Sequence, residues 1–124
     1  MKTINIRKEE LDRLADACCR VFEVNIDDFY SDSRRSKISD ARKTYYHIIK
    51  YFYEINELEI SQLVPIHRHR TTIMFSVDCA NDYLKTDRYY TGKYSAVYEL
   101  FTGRKFDGSI NYERKVIKRK RPVQ

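Results

Sequence analysis

Glycine and proline are scarce in this chain, and both occur only in its second half. Its 124 residues include three glycines and two prolines, and the first of these five is Pro65. Residues that break helices or form tight turns are therefore rare, and stretches that alternate apolar and polar residues are few. This composition favours an all-α protein.

Long apolar runs and a usable set of disulfide partners are also missing. No run of 18 apolar residues occurs, which argues against a membrane-spanning helix. The first residues, MKTINIRKEELDRL, lack the apolar core of a secretion signal. Three cysteines, two of them adjacent at Cys18 and Cys19, fit a reducing compartment better than a disulfide framework. We therefore expect a cytoplasmic protein with no membrane partner.

The positive charge is unevenly distributed. The net charge is +6, and residues 114–121, RKVIKRKR, carry six basic and no acidic groups. The remainder holds 18 basic and 18 acidic residues, because 24 minus 6 equals 18. The overall charge therefore says little about the folded body, and a local cluster, residues 34–50, with six bases and one acid, is more informative.

Apolar residues recur at helical spacing up to about residue 101, which predicts a compact bundle of five to six helices. We expect helices over about 7–22 and 87–101, and a short helical turn in DDFYS. Ser39 or Asp40 would cap a third helix. Its predicted core stripe is Ala41, Tyr45, Ile48, Ile49, Phe52 and Ile55. Residues 1–101 would form one domain, and residues 102–124 a basic, flexible tail.

The region around Pro65 predicts two helices joined by a short turn. Asn56 and Glu59 have the spacing of a capping box, before a helix over about 57–64 that Pro65 ends. A longer helix would begin at about residues 68–70. Its predicted buried stripe is Ile73, Val77, Ala80 and Leu84. Donors on the first turn of a second helix are typical of a helix-turn-helix that reads the major groove of DNA.

At these residues the chain resembles a known family. From about Val21 to Leu84 it is similar to the C-terminal DNA-binding domain of the bacterial replication initiator DnaA. That family's Gly-Arg-Asp-His-Thr-Thr-Val motif aligns with HRHRTTI at 67–73, and its basic loop with SRRSKI at 33–38. Its Ser-Leu-Pro-Glu-Ile-Gly segment resembles NELEIS at 56–61. The resemblance implies a Trp-repressor-like helix-turn-helix fold that binds double-stranded DNA and regulates replication or transcription.

The resemblance also implies roles for individual residues. Arg34 would enter the minor groove from a basic loop that also carries Arg35 and Lys37. Arg42 and Lys50 would contact flanking phosphates. The recognition positions would be Arg68, His69, Arg70, Thr71 and Thr72.

Two departures from the family limit what can be carried over. The family's Asp-His pair is replaced by His69-Arg70, and arginine favours guanine, so the target sequence would differ. No G-x-x-x-x-G-K-[ST] motif occurs, so the similarity is to the binding domain and not to the ATPase. The target sequence, the biological process and the oligomeric state stay open.

Other functions fit the residues less well than DNA binding. His67 and His69 could bind a metal, but such a site needs three or four ligands, so we expect no metal and no cofactor. Catalysis needs a convergent set of groups that the pattern does not indicate, so we expect no enzyme. Base stacking on the eleven tyrosines is disfavoured, because most suit helix packing with their hydroxyls at the rim. The remaining alternative is a protein-interaction adaptor that keeps the fold and uses exposed Tyr and Phe around 89–106.

Overall fold

A computed structural model describes residues 6–66 and 68–106, and this part of the chain is helical with no β-strand. The prediction of an all-α bundle is confirmed. The helices, in chain order, are α1 (Lys8–Phe22), α2 (Ile26–Phe29), α3 (Ser36–Tyr53), α4 (Glu57–Leu63), α5 (Arg70–Thr86) and α6 (Arg88–Thr102).

Helix α3 is the centre of the bundle and contacts each of the other five helices. Because neighbours surround it, apolar and polar residues are buried on several of its sides. The predicted core stripe is buried apart from Phe52, whose side chain is 40% exposed near the end of α3. The prediction was wrong for Phe52, which packs edge-on against Phe101 of α6 at the rim. Polar members of α3 are buried as well: Arg42, Thr44, His47 and Lys50.

Two polar contacts join α3 to α6 inside the core. The Thr44 and Tyr90 hydroxyls lie 2.8 Å apart, and His47 Nδ1 lies 2.7 Å from the Tyr94 hydroxyl. The expectation that the tyrosine hydroxyls lie at the rim is therefore wrong for Tyr90 and Tyr94. A buried hydroxyl is tolerated when it is hydrogen-bonded, and these two tyrosines have partners on α3.

The N-cap predicted from the sequence is correct for α4 but not for α3. The capping box predicted at Asn56 and Glu59 is present, with the two reciprocal hydrogen bonds at 2.9 and 2.8 Å. Helix α3, however, begins at Ser36 with Arg35 as its N-cap, so the predicted cap at Ser39 or Asp40 is wrong. Arg35 makes no side-chain capping bond. Arg42, in the second turn of α3, instead hydrogen-bonds the segment that precedes the helix.

The end of α6 differs from the predicted boundary of the tail. The helix continues to Thr102, and Phe106 packs against Tyr94 and Tyr98 with ring centroids 5.0 and 5.3 Å apart. The rest of the predicted tail, from residue 107, lies outside the described residues, as does His67. Among the described helices, none is long and apolar enough to cross a membrane.

Candidate nucleic-acid interface

Helices α4 and α5 pack against each other and are joined by a six-residue connection, residues 64–69. Val64 and Ile66 in this connection are buried, whereas Pro65 is exposed. Alternate residues therefore anchor the turn in the core and determine where α5 starts. This arrangement matches the predicted short helix, break and longer helix.

The first turn of α5 is open to solvent on one side and buried on the other. His69 is the N-cap: its Nδ1 accepts a hydrogen bond from the backbone N–H of Thr71 at 3.1 Å. Arg70, Thr71 and Thr72 are exposed. The predicted buried stripe is confirmed for Ile73, Val77 and Ala80, and Leu84 is partly buried. The donors therefore stand on a helix start whose position is set by the core.

The loop between α2 and α3 lies beside this helix start. The Arg68 guanidinium donates from Nη2 to the carbonyl oxygen of Ser31 at 3.1 Å, and its Nη1 lies 3.7 Å from Asp32 Oδ1. Since 37 residues separate Arg68 from Ser31, folding is what brings the two segments together. Arg34, the predicted minor-groove residue, is exposed on the same loop.

A pocket of about 570 Å³ opens between the loop and α5. Three of the predicted binding arginines line it, namely Arg34, Arg42 and Arg68, together with Thr72. Its other lining residues were not predicted: Asp32, Ser39, Tyr46 and Ser76. Ser76 follows Thr72 by one helical turn, so the i, i+4 spacing could have indicated it. Ser39 and Tyr46 belong to another helix and have no such signal.

Arg42 does not hold phosphate as predicted. Its side chain is only 6% exposed, and its guanidinium donates to backbone carbonyls at the end of α2 and in the α2–α3 loop. Nε donates to Phe29 O at 2.7 Å, Nη1 to Ser33 O at 2.6 Å, and Nη2 to Asp28 O at 2.9 Å and also to Ser31 O. Burial, together with the positive charge of Arg68, lowers the pKa of Arg42 from its usual value. Arg42 therefore holds the backbone of the loop in place by hydrogen bonds and adds positive charge to the pocket.

The prediction for Lys50 is also wrong. The Lys50 side chain is 2% exposed, and its Nζ lies 3.1 Å from Glu57 Oε2 at the start of α4. Its Nζ also lies 5.6 Å from the ring centroid of Tyr51. A buried ammonium that already has a carboxylate partner is not available to DNA phosphate. Lys50 links α3 to α4 instead.

The predicted basic-loop residues Arg34, Arg35 and Lys37 do not lie together in one pocket. Lys37 is exposed and lines a separate pocket of about 280 Å³ that also contains Glu23, Asp40 and Asp87. Arg35 is exposed at the start of α3. The three carboxylates outnumber the two lysines of this pocket, Lys37 and Lys93, and oppose phosphate binding, so Lys37 is a weaker candidate than Arg35.

The outer side of α5 changes character along its length. Arg70 and Thr71 are exposed at its start, Phe75 is 68% exposed one turn later, and Asp78 and Asp82 are exposed beyond it. The helix dipole adds positive potential at the same end as Arg70. An anionic ligand would therefore meet the first turn of α5 and be repelled by the later turns.

Tyr46, one of the residues that line the pocket, has a buried hydroxyl without a hydrogen-bond partner. The Tyr46 side chain is 1% exposed, and its hydroxyl oxygen makes no hydrogen bond to any described residue. Burial raises the pKa of Tyr46 to about 12, while the nearby charges of Arg68 and Arg42 act in the opposite direction. The hydroxyl therefore keeps its proton near neutral pH and remains a donor.

Within residues 6–66 and 68–106, no three His, Cys, Asp or Glu side chains come together in a group that could hold a metal ion. His47 is buried between Asn81 and Tyr94, far from the surface, and His69 caps α5. Comparison with protein family models, curated proteins and solved structures finds no match for the chain.

Proposed function

We propose that this protein binds double-stranded DNA, with α4 and α5 acting as the helix-turn-helix and α5 as the helix that enters the major groove. The observation that carries the proposal is the first turn of α5. There Arg70 and Thr71 are exposed at a helix N-terminus whose opposite side is buried. In helix-turn-helix proteins the N-terminal residues of the second helix are those that contact base edges.

The chemistry of this turn suits bases and phosphates. Arg70 can donate two parallel hydrogen bonds to guanine, and the threonine hydroxyls can bond to phosphate or contact a thymine methyl group. Exposed Phe75, one turn further, offers a second apolar contact for a thymine methyl group. Asp78 and Asp82, two and three turns further along α5, would lie farther from the DNA if the helix enters the groove by its N-terminal end.

The neighbouring loop supplies a second contact. Arg34 is exposed and lines the pocket between the α2–α3 loop and α5, which supports a contact with the duplex beside the proposed recognition helix. We propose the minor groove as its target and a DnaA-like, Trp-repressor-like domain as the fold. Regulation of replication or transcription at a specific site is the corresponding biological role.

Fluorescence anisotropy with labelled duplexes of varied sequence tests this proposal. The full chain should bind, and Arg70→Ala should weaken binding of the best duplex by roughly 5-fold to 150-fold, which corresponds to about 1–3 kcal/mol for a base contact. Arg88→Ala is the matched control, because Arg88 is also an exposed arginine in the first turn of a long helix, α6. It should leave the affinity close to that of the parent protein.

The basic segment RKVIKRKR must be separated from the folded domain in the same assay. A peptide of residues 107–124 should bind duplexes without sequence preference, with affinity that falls steeply as salt increases. If the full chain binds no better than this peptide, or if Arg70→Ala and Arg88→Ala behave alike, the proposed recognition helix is refuted. If the full chain instead binds in an Arg70-dependent way, selection from random duplexes would define the target sequence.

The adaptor alternative finds support in two exposed residues of α6. Tyr89 is 75% exposed and Leu100 is 54% exposed. Tyr90, Tyr94 and Phe101 of the same helix are buried, so the surface available for a partner is smaller than the sequence indicated. Duplex binding lost on Arg70→Ala but kept on Leu100→Ser would favour DNA recognition over this alternative.

A further inference from the structure

The pocket between the α2–α3 loop and α5 combines positive charge with hydroxyl donors from three segments of the chain. Arg34 comes from the loop, Arg68 from the α4–α5 connection, and Thr72 and Ser76 from α5. Buried Arg42 adds a third guanidinium charge behind the loop. Its volume of about 570 Å³ falls in the range of small-molecule sites, roughly 300–1,000 Å³.

The Tyr46 side chain, which lines the pocket, has an unsatisfied hydrogen-bonding group. The Tyr46 hydroxyl is buried without a partner, which costs roughly 1–3 kcal/mol unless something accepts its hydrogen bond. Thr72 is exposed and is the second residue after the start of α5, where the helix dipole favours an anion. Arginine and hydroxyl donors at one helix start are a recurrent combination for phosphate oxygens.

We infer that this pocket binds a phosphate group, held by the Arg68 guanidinium and by the hydroxyls of Thr72 and Tyr46. The phosphate belongs either to a small phosphomonoester or to the DNA backbone. Only in the second case does the inference rest on the proposed function. Ser31 and Asp32 already occupy part of the Arg68 guanidinium, and the Asp32 contact, at 3.7 Å with a fully exposed carboxylate, is the one a phosphate would displace.

Inorganic phosphate is the probe for the first experiment, with chloride at matched ionic strength as the blank. Amide chemical shifts of the full chain should change in a saturable way, and the changes should centre on residues 31–34 and 68–76. Tyr46→Phe and Thr72→Val keep the shape of each side chain and remove a hydroxyl. Each should weaken phosphate binding by about 3-fold to 10-fold, the range expected for one hydrogen bond.

Two further variants sharpen the result. Asp32→Asn should tighten phosphate binding by a few-fold, because it removes the competing carboxylate. Arg88→Ala, an arginine outside the pocket, should leave binding unchanged. No saturable shift change, or binding that neither Tyr46→Phe nor Thr72→Val weakens, would overturn the inference. Tyr46→Phe is expected to fold at least as stably as the parent protein, since it removes an unpartnered buried hydroxyl.

Duplex titrations with the same variants identify the source of the phosphate. If Tyr46→Phe weakens inorganic phosphate and duplex in parallel, the pocket holds a backbone phosphate. If it weakens inorganic phosphate alone, the pocket belongs to a small phosphomonoester. Failure of phosphate binding with intact, Arg70-dependent duplex binding overturns this inference and leaves the proposed function standing. The reverse result overturns the proposed function alone.

Discussion

Arg42 and Arg70 are both basic residues on long helices, but Arg42 is buried and Arg70 is exposed. Arg42 is 6% exposed, and its guanidinium donates to carbonyl oxygens at the end of α2 and in the α2–α3 loop. Arg70 is exposed on the first turn of α5. A buried arginine can thus support a binding surface through hydrogen bonds to its backbone, whereas an exposed arginine can contact the ligand directly. The difference lies in what surrounds each helix, since α3 is enclosed by five helices and α5 has an open side.

The same contrast separates the two described histidines. His47, on α3, is buried, with Nε2 2.6 Å from Asn81 Oδ1 and Nδ1 2.7 Å from the Tyr94 hydroxyl. Since Asn81 Oδ1 can only accept, Nε2 carries the hydrogen and Nδ1 accepts from Tyr94. His69 is exposed and caps α5. The buried set of polar groups stabilises the bundle, and the exposed set remains available for a ligand.

Arg42→Lys should have the largest effect on stability. A lysine keeps the charge but cannot reach several carbonyl oxygens with a planar fork, so buried acceptors lose their donors. We expect a loss of about 3 kcal/mol in the free energy of unfolding, measured by urea denaturation. If Arg42 were mainly a phosphate ligand, the lysine would be tolerated and stability would be close to that of the parent protein.

His47 should make the protein less stable in mild acid. Burial lowers the pKa of His47 to about 4 from 6.5, so between these values the unfolded chain binds a proton that the folded chain does not. Stability is therefore full above about pH 6.5 and falls as the pH drops towards 4, with a loss of about 2 kcal/mol between pH 7.5 and 5. Urea denaturation at the two pH values measures it.

The variant His47→Gln is the control for this pH dependence. It removes the titrating group, so its stability should differ between pH 7.5 and 5 by much less than that of the parent protein, even if it is less stable overall. An unchanged pH dependence in His47→Gln would show that other groups cause it.

Glu57→Gln should have a smaller effect, about 1 kcal/mol. It removes the carboxylate that lies 3.1 Å from the buried Lys50 ammonium, although the glutamine oxygen can still accept a hydrogen bond. The double variant Lys50→Met with Glu57→Gln should recover part of the loss, because no buried charge is left without its partner. Urea denaturation of both variants tests this, and an additive loss would contradict it.

Arg70→Ala should have the smallest effect on stability, below about 0.5 kcal/mol, because Arg70 is an exposed residue of a helix that is packed through its other side. Its effect should appear in duplex affinity instead. A loss of stability as large as that of Arg42→Lys would remove the contrast between the two arginines. Thermal unfolding of the two variants side by side makes this comparison.

The helical architecture could be predicted because its signals are local. The capping box at Asn56 and the buried stripe Ile73, Val77 and Ala80 depend on residues three or four positions apart. The position of the exposed turn follows from the same pattern, since donors preceded a stripe that had to be buried. DNA binding and the resemblance to the DnaA domain stay predictions, supported by this turn.

What the sequence by itself determined is the all-α character, the break at Pro65 and the exposed donors at the start of α5. Only the tertiary structure decided which cations are available. Arg42 and Lys50 occupy the helix that the other five surround, and their partners are 9–14 residues away or contributed by the next helix. A pattern read along one helix identifies its apolar stripe, but a second or third buried side depends on neighbours that only folding brings into contact. For the same reason, the role of Tyr46 and the pocket beside it could not be predicted from the sequence.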